Sequence, residues 1–140
     1  MSKSGNILII EDDVDDKEFL EELIIGLGIT NKIVWMTNGA EAFKFLCTST
    51  EPIFIIFSDI NMPIMNGLEL KRDIDADPGL REKSIPFVFY STAATKEAVH
   101  EAYTQLTIQG FFIKGNDYNR TKQMVHTIID YWKHCIHPNT

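Results

Sequence analysis

Short, uninterrupted apolar runs recur along the chain at Ile7–Ile10, Ile33–Met36, Ile53–Phe57, Phe87–Tyr90 and Phe111–Ile113. Each is of strand length, rich in β-branched or aromatic residues, and free of the polar alternation that marks a half-exposed strand. Runs of this kind suit a parallel sheet covered on both faces. Between them the apolar positions fall at helical spacing. Phe19, Leu20, Leu23, Ile24 and Leu27 form one face, stopped by Gly26 and Gly28. Asn38 with Glu41 three residues on reads as a capping box, opening a second helix through Ala42, Phe45 and Leu46. Leu68, Leu70 and Ile74 mark a third, ended by Asp77-Pro78-Gly79; Ala98, Val99, Ala102, Tyr103 and Leu106 mark a fourth. Val125, Ile128, Ile129 and Trp132 mark a fifth, opened by Asn116 or Asp117. Five strands alternating with five helices predict a single doubly wound α/β domain over residues 1–140, built on a five-stranded parallel sheet.

Composition narrows the choice of partners. The 140 residues are 44% hydrophobic, enough for one substantial core. A net charge of −7 argues against non-specific nucleic-acid binding, which needs basic surface to displace counterions. No apolar run approaches a membrane span or a signal-peptide core, so a soluble, cytoplasmic protein without a membrane partner is expected. Cys47 and Cys135 have no second pair for a metal site or disulfide framework, and read as reduced thiols, Cys47 within the core. The four histidines have no metal-ligand spacing, and His134 with His137 reads as a solvated tail.

The alternation of strands and helices also says where chemistry belongs. In an open parallel sheet, ligands bind beyond the carboxyl ends of the strands, beside the point where strand order reverses. Glu11, Asp12 and Asp13 follow the first strand, Ser58 and Asp59 the third, Ser91 and Thr92 the fourth, and Lys114 the fifth. Four strand ends thus bring acids, hydroxyls and an amine to one edge. Crowded carboxylates at Glu11, Asp12 and Asp59 repel one another unless a cation intervenes, and a hard, partly hydrated Mg²⁺ suits a few carboxylate oxygens. A carboxylate can act as the nucleophile that forms an acyl phosphate. An ammonium and a hydroxyl would then stabilise charge on the phosphoryl oxygens. Taken singly, acids after a strand serve a helix N-terminus, which accounts for Asp13, Asp15 and Asp16. It is the convergence that points to phosphoryl transfer.

At these positions the chain resembles the receiver family of two-component response regulators. The likeness rests on Ile7-Leu8-Ile9-Ile10 followed by Glu11-Asp12-Asp13, on Asp59-Ile60-Asn61-Met62-Pro63 with Gly67, on Ser91, and on Lys114. It implies the flavodoxin-like receiver fold, with Asp59 as phosphoacceptor and a metal held by Asp12 directly, by Glu11 mainly through water, and by the Asn61 carbonyl. Ser91 and Phe111 match the family's hydroxyl and aromatic switch positions. A sensor histidine kinase or phosphotransfer protein would donate the phosphoryl group, and a downstream protein target or a homodimer would receive the signal. The acidic opening and aromatic last helix are similar to stand-alone regulators of the chemotaxis and phytochrome-partner type, with no output domain and only self-phosphorylation and autodephosphorylation chemistry of their own.

The departures and rivals are specific. The family's Lys-Pro pair reads Lys114-Gly115, so the cis-proline turn is missing, although glycine can supply unusual dihedrals. Counting from Pro86 gives the switch hydroxyl to Ser91 and leaves Thr92 to narrow access to Asp59; one extra residue in the strand would give it to Thr92. A haloacid-dehalogenase-type enzyme would carry a second Asp where Asn61 stands. A flavodoxin-like cofactor binder would not place three acids in its phosphate loop. A degenerate receiver, acting as a phosphorylation-independent docking module, would be expected to lose the acid pair, the acceptor or the lysine, and all are retained.

Overall fold

The computed structural model describes residues 2–138. Its strands are β1 (Asn6–Ile10), β2 (Ile33–Met36), β3 (Ile53–Ser58), β4 (Phe87–Ser91) and β5 (Gly110–Ile113), in the expected places. All pair in parallel in the order β2-β1-β3-β4-β5. The helices are α1 (Val14–Gly26), α2 (Gly39–Thr48), α3 (Gly67–Ala76), α4 (Pro78–Lys83), α5 (Lys96–Gln105) and α6 (Tyr118–His134). This is a doubly wound, flavodoxin-like receiver architecture. The order reverses between β1 and β3, the switch point at which ligands gather. Among the described residues no helix is long and apolar enough to cross a membrane.

One helix more is present than the pattern predicts. Asp77-Pro78-Gly79 does end α3, but the same residues start α4. The Asp77 carboxylate accepts from the Leu80 amide at 3.0 Å, and Pro78 takes the first helical position, where its missing N–H costs nothing. Cap assignment differs elsewhere too. Asn38 caps α2 through the Glu41 amide, but the Glu41 carboxylate accepts from the Thr37 hydroxyl instead of closing the box. A complete box forms at α3, between Asn66 and Glu69. Asp117 caps α6, and Gly28, at φ 78°, follows the end of α1 in the left-handed conformation glycine tolerates.

Helices cover both faces of the sheet. Leu8, Ile10, Ile56 and Phe89 meet Ala42, Leu46, Leu70, Leu80 and Ala102 from α2 to α5 on one side. Ile7, Ile9, Phe57 and Val88 meet Leu20 and Ile24 of α1 and Val125, Ile128 and Ile129 of α6 on the other. Each such side chain taken from water contributes about 1.5–3 kcal/mol, and this double burial is why the central strands read as continuous apolar runs.

Two expectations about single residues fail. Cys47 is exposed, because Ala42 and Leu46, four apart, occupy the inward stripe of α2 and turn Cys47 outward. Nor is His137 in a solvated tail. It is 1% exposed, with Nε2 2.7 Å from the Phe54 carbonyl and its ring stacked on Phe54 and edge-on to Trp132. The residues after α6 fold back over the amino-terminal end of β3. His134 is exposed, as expected.

Candidate functional site

Backbone hydrogen bonds carry the sheet's register past the ends of its strands. The Glu11 amide donates to the Met36 carbonyl at 3.0 Å, Asp59 to Ile10 at 2.9 Å, and Lys114 to Ser91 at 3.0 Å. Residues separated by up to 103 positions are thereby fixed along one edge. Ligand oxygens of Glu11, Asp12 and Asp59 lie within 4.8 Å of one another, with Glu11 and Asp59 buried and Asp12 exposed. Lys114 Nζ sits among them, 2.5 Å from Glu11 Oε1 and 3.2 Å from Asp59 Oδ2. The other Asp59 oxygen accepts from the Ile60 amide at 2.7 Å, which fixes the carboxylate plane.

The electrostatics follow from this crowding. Burial, reinforced by the charge of Asp59, pushes the Glu11 carboxyl up from 4.5 to about 7, and the Lys114 ammonium only partly offsets this. Lys114 also shifts upward: burial works against its charge, but hydrogen bonds to Glu11 and Asp16 and the charge of Asp59 outweigh it and hold the ammonium charged. The edge is thus a compact set of hard oxygen donors with more negative charge than one ammonium neutralises. A divalent cation bound by oxygen fits that donor set, with Glu11, Asp12 and Asp59 the residues to hold it.

The remaining predicted residues stand at graded distances from this centre. Ser91 ends β4 and is fully buried; its Oγ accepts from the Ala93 amide at 3.1 Å, leaving its O–H to donate. Thr92 follows it, exposed. Asn61 is exposed at the start of the β3–α3 loop. Phe111 is half-buried against Phe89, with ring centroids 5.6 Å apart, on the α2–α5 face rather than in the acid cluster. Gly115 has no positive φ, and no cis peptide bond occurs among the described residues, so the unusual dihedrals it could supply are not used.

Three participants are not legible as such in the sequence. Asp16 does more than favour the α1 N-terminus, because its carboxylate lies 3.0 Å from Lys114 Nζ. The Trp35 indole donates to the Glu11 carbonyl at 2.7 Å, and the Tyr90 ring lies 5.7 Å from Lys114 Nζ. The cap at Asp13 holds a signal for Asp16: with the Asp13 side chain bonded to the Asp16 amide, Asp16 falls in the first turn beside the strand ends.

The β3–α3 loop is tightly constrained. The Met65 amide donates to the Pro63 carbonyl at 2.8 Å, a γ-turn centred on Ile64 at φ 69°. That is a strained conformation for a β-branched residue, held where Ile64 is 82% exposed. The turn is pinned further by the Gly39 amide, which donates to the Met65 carbonyl.

Comparison with known proteins agrees with this geometry. The family model described as the response regulator receiver domain matches residues 7–126. The response regulator Rcp1 of Synechocystis is 26% identical over 132 residues, covering 90% of this chain and 87% of that protein. A chemotaxis protein CheY homologue of Campylobacter jejuni is 27% identical over 93 residues, covering 66% and 68% respectively. The crystal structure of the Mn²⁺-bound form of Rcp1 superposes with a TM-score of 0.81 at 25% identity, over 94% of this chain and 96% of that one.

Proposed function

The chain belongs to the response regulator receiver family of two-component systems, and from that premise we propose that it takes up a phosphoryl group on Asp59 with Mg²⁺. The observation that carries this reading is the convergence of Glu11, Asp12, Asp59 and Lys114 on one strand-end cluster. An Asp59 carboxylate oxygen attacks phosphorus, and the bond to the donor breaks with its electron pair leaving on the donor. The donor is a phosphohistidine of a kinase or phosphotransfer protein. Lys114, held charged beside Asp59, offsets negative charge building on the phosphoryl oxygens. Glu11 and Asp16 keep that ammonium in place before the donor arrives. Bound to Glu11, Asp12, Asp59 and the Asn61 carbonyl, Mg²⁺ would supply further positive charge to the same oxygens. A small phosphodonor with Mg²⁺ should add one hydroxylamine-labile phosphoryl group to the purified chain, and chelator should prevent it. A chain that stays unmodified under both conditions would refute the reading and favour a docking module.

Metal binding has its own prediction. Glu11 is protonated in most molecules below about pH 7 and ionised above it, so a cation must displace a proton on the acid side. Apparent Mg²⁺ affinity should rise about tenfold from pH 6 to pH 8, and the rise should flatten in Glu11→Gln. Asp12→Ala should abolish binding, and Glu11→Ala should weaken it less. Trp35, bonded to the Glu11 carbonyl, gives a fluorescence readout that Trp35→Phe removes while calorimetry still records binding. Equal affinity in Asp12→Ala, or a flat pH profile in the unmodified chain, would count against this site.

The signal leaves through Ser91. A phosphoryl group on Asp59 brings about −1.5 to −2 charge and new acceptor oxygens, which draw on the free Ser91 O–H. Ser91 pairs with Ile113 and Phe89 with Phe111, so a shift of β4 is felt directly by the Phe111 ring. The outlet is the face of α5, β5 and α6, where a protein target or a second copy would bind. Tyr103 on that face is 55% exposed. Ser91→Ala should still accept the phosphoryl group, while hydrogen exchange over residues 91–113 no longer changes on phosphorylation. An unchanged exchange response in Ser91→Ala would remove Ser91 from the switch.

A further inference from the structure

A second polar cluster lies at the other end of the sheet, far from the acids. Lys71 of α3 is 5% exposed, with Nζ 2.9 Å from Asp75 Oδ1 and 5.3 Å from the Phe87 ring centroid. Asp75 is already committed elsewhere: its oxygens accept from the Thr107 amide at 2.9 Å and the Thr107 hydroxyl at 2.6 Å. Those bonds with Lys71 hold the Asp75 carboxyl below its ordinary range despite burial. An ammonium has three N–H donors, and among the described residues that of Lys71 hydrogen-bonds only Asp75. Two donors are left over on a nearly inaccessible cation.

These donors border a pocket of about 90 Å³, room for several water molecules and so for a small organic anion, not for a drug-sized ligand. Arg81, Ser84 and Gln109 line it together with the apolar Leu46, Ile74, Leu80 and Ile85. The charged groups in its wall are Lys71, Arg81 and Asp75, which leaves one positive charge uncompensated. Arg81 comes from α4, the helix that the chain pattern does not announce, and Ser84 closes that helix at φ 50°. Burial, with the Arg81 charge adding to it, lowers the Lys71 pKa, as expected for a cation lacking its full complement of acceptors.

We propose that this pocket binds a small organic carboxylate, its head held by Lys71 and Arg81 and its short aliphatic body against Leu46, Leu80 and Ile85. The single surplus positive charge matches a monoanion, and the apolar half of the wall suits a hydrocarbon body better than a fully hydrated ion. Phe87 begins β4 and Ser91 ends it, so the ligand would sit at the opposite end of the strand from the Asp59 cluster. Its binding does not depend on phosphorylation chemistry.

Amide chemical shifts of the full chain, titrated with isovalerate, test this directly. Saturable shifts are expected at Lys71, Asp75, Arg81, Ser84, Thr107 and Gln109. Arg81→Gln, a change at an exposed side chain, should weaken binding about tenfold or more while leaving the rest of the spectrum in place. The neutral isovaleramide should bind weakly or not at all, and inorganic phosphate less well than isovalerate. No saturable shift at those amides would overturn the proposal, as would equal binding of isovaleramide or phosphate, or unchanged affinity in Arg81→Gln.

Discussion

Asp59→Asn is expected to lose Mg²⁺-dependent phosphorylation altogether, by more than about a thousandfold, as removal of a covalent nucleophile does. The substitution is nearly isosteric and keeps an oxygen for the Ile60 amide, so the loop geometry should persist. Lys114 keeps Glu11 and Asp16 as partners, so its ammonium is not stranded. The loss would therefore report the missing nucleophile and not a collapsed site. Intact mass after exposure to a small phosphodonor, with hydroxylamine lability as the check, gives the measurement. Undiminished labelling of folded Asp59→Asn would transfer the acceptor role to another carboxylate of the cluster, Asp12 being the exposed one.

That Asp59 lies on the strand-end edge follows from the sheet. Central parallel strands are buried on both faces, so Ile7–Ile10 and Ile53–Phe57 have to be continuous apolar runs, and the polar residues just past each, Ser58 with Asp59 after the third, mark the edge. Glu11, Asp59, Ser91 and Lys114 are all legible in this way. Local chain chemistry also narrowed the start of α6 to Asn116 or Asp117, of which Asp117 is the cap, and the end of α1 to Gly26 and Gly28, of which Gly26 closes the helix. What stayed illegible depends on tertiary approach. Asp16 looks like any helix-start acid until β5 delivers Lys114 beside it. Trp35 sits on an edge strand whose apolar pattern says nothing of its indole N–H reaching Glu11. His137 is one polar residue in a polar tail until the turn after α6 lays it over Phe54. Cys47 misleads because cysteine's general preference for burial carries no information about which side of α2 faces the core. The short α4 was hidden by Asp77-Pro78-Gly79, since residues that stop one helix can start the next.

The same edge explains why Gly67→Ala is expected to be the most damaging glycine-to-alanine change in the chain. Gly67 opens α3, and its amide donates to the Ile60 carbonyl at 2.9 Å, closing the loop that leaves Asp59. A Cβ there would collide with the Asp59 carbonyl oxygen and lie 3.1 Å from Ile60 Cα. Both neighbours are backbone, and neither has a flexible side chain that could swing aside. The strained turn at Ile64 leaves the loop little slack to absorb the shift. The expected loss is about 3 kcal/mol, or roughly 10 °C in Tm for a domain of this size. Because the displaced atom belongs to Asp59 itself, phosphorylation should fall along with stability. Gly115→Ala is the control: it lies next to Lys114, yet a Cβ there meets nothing within 4 Å, so both Tm and phosphorylation should hold. Thermal unfolding of the two variants beside the unmodified chain decides the matter. An unchanged Tm in Gly67→Ala would mean that the β3–α3 loop can retreat from Asp59, and that close backbone packing there does not fix the acceptor's position.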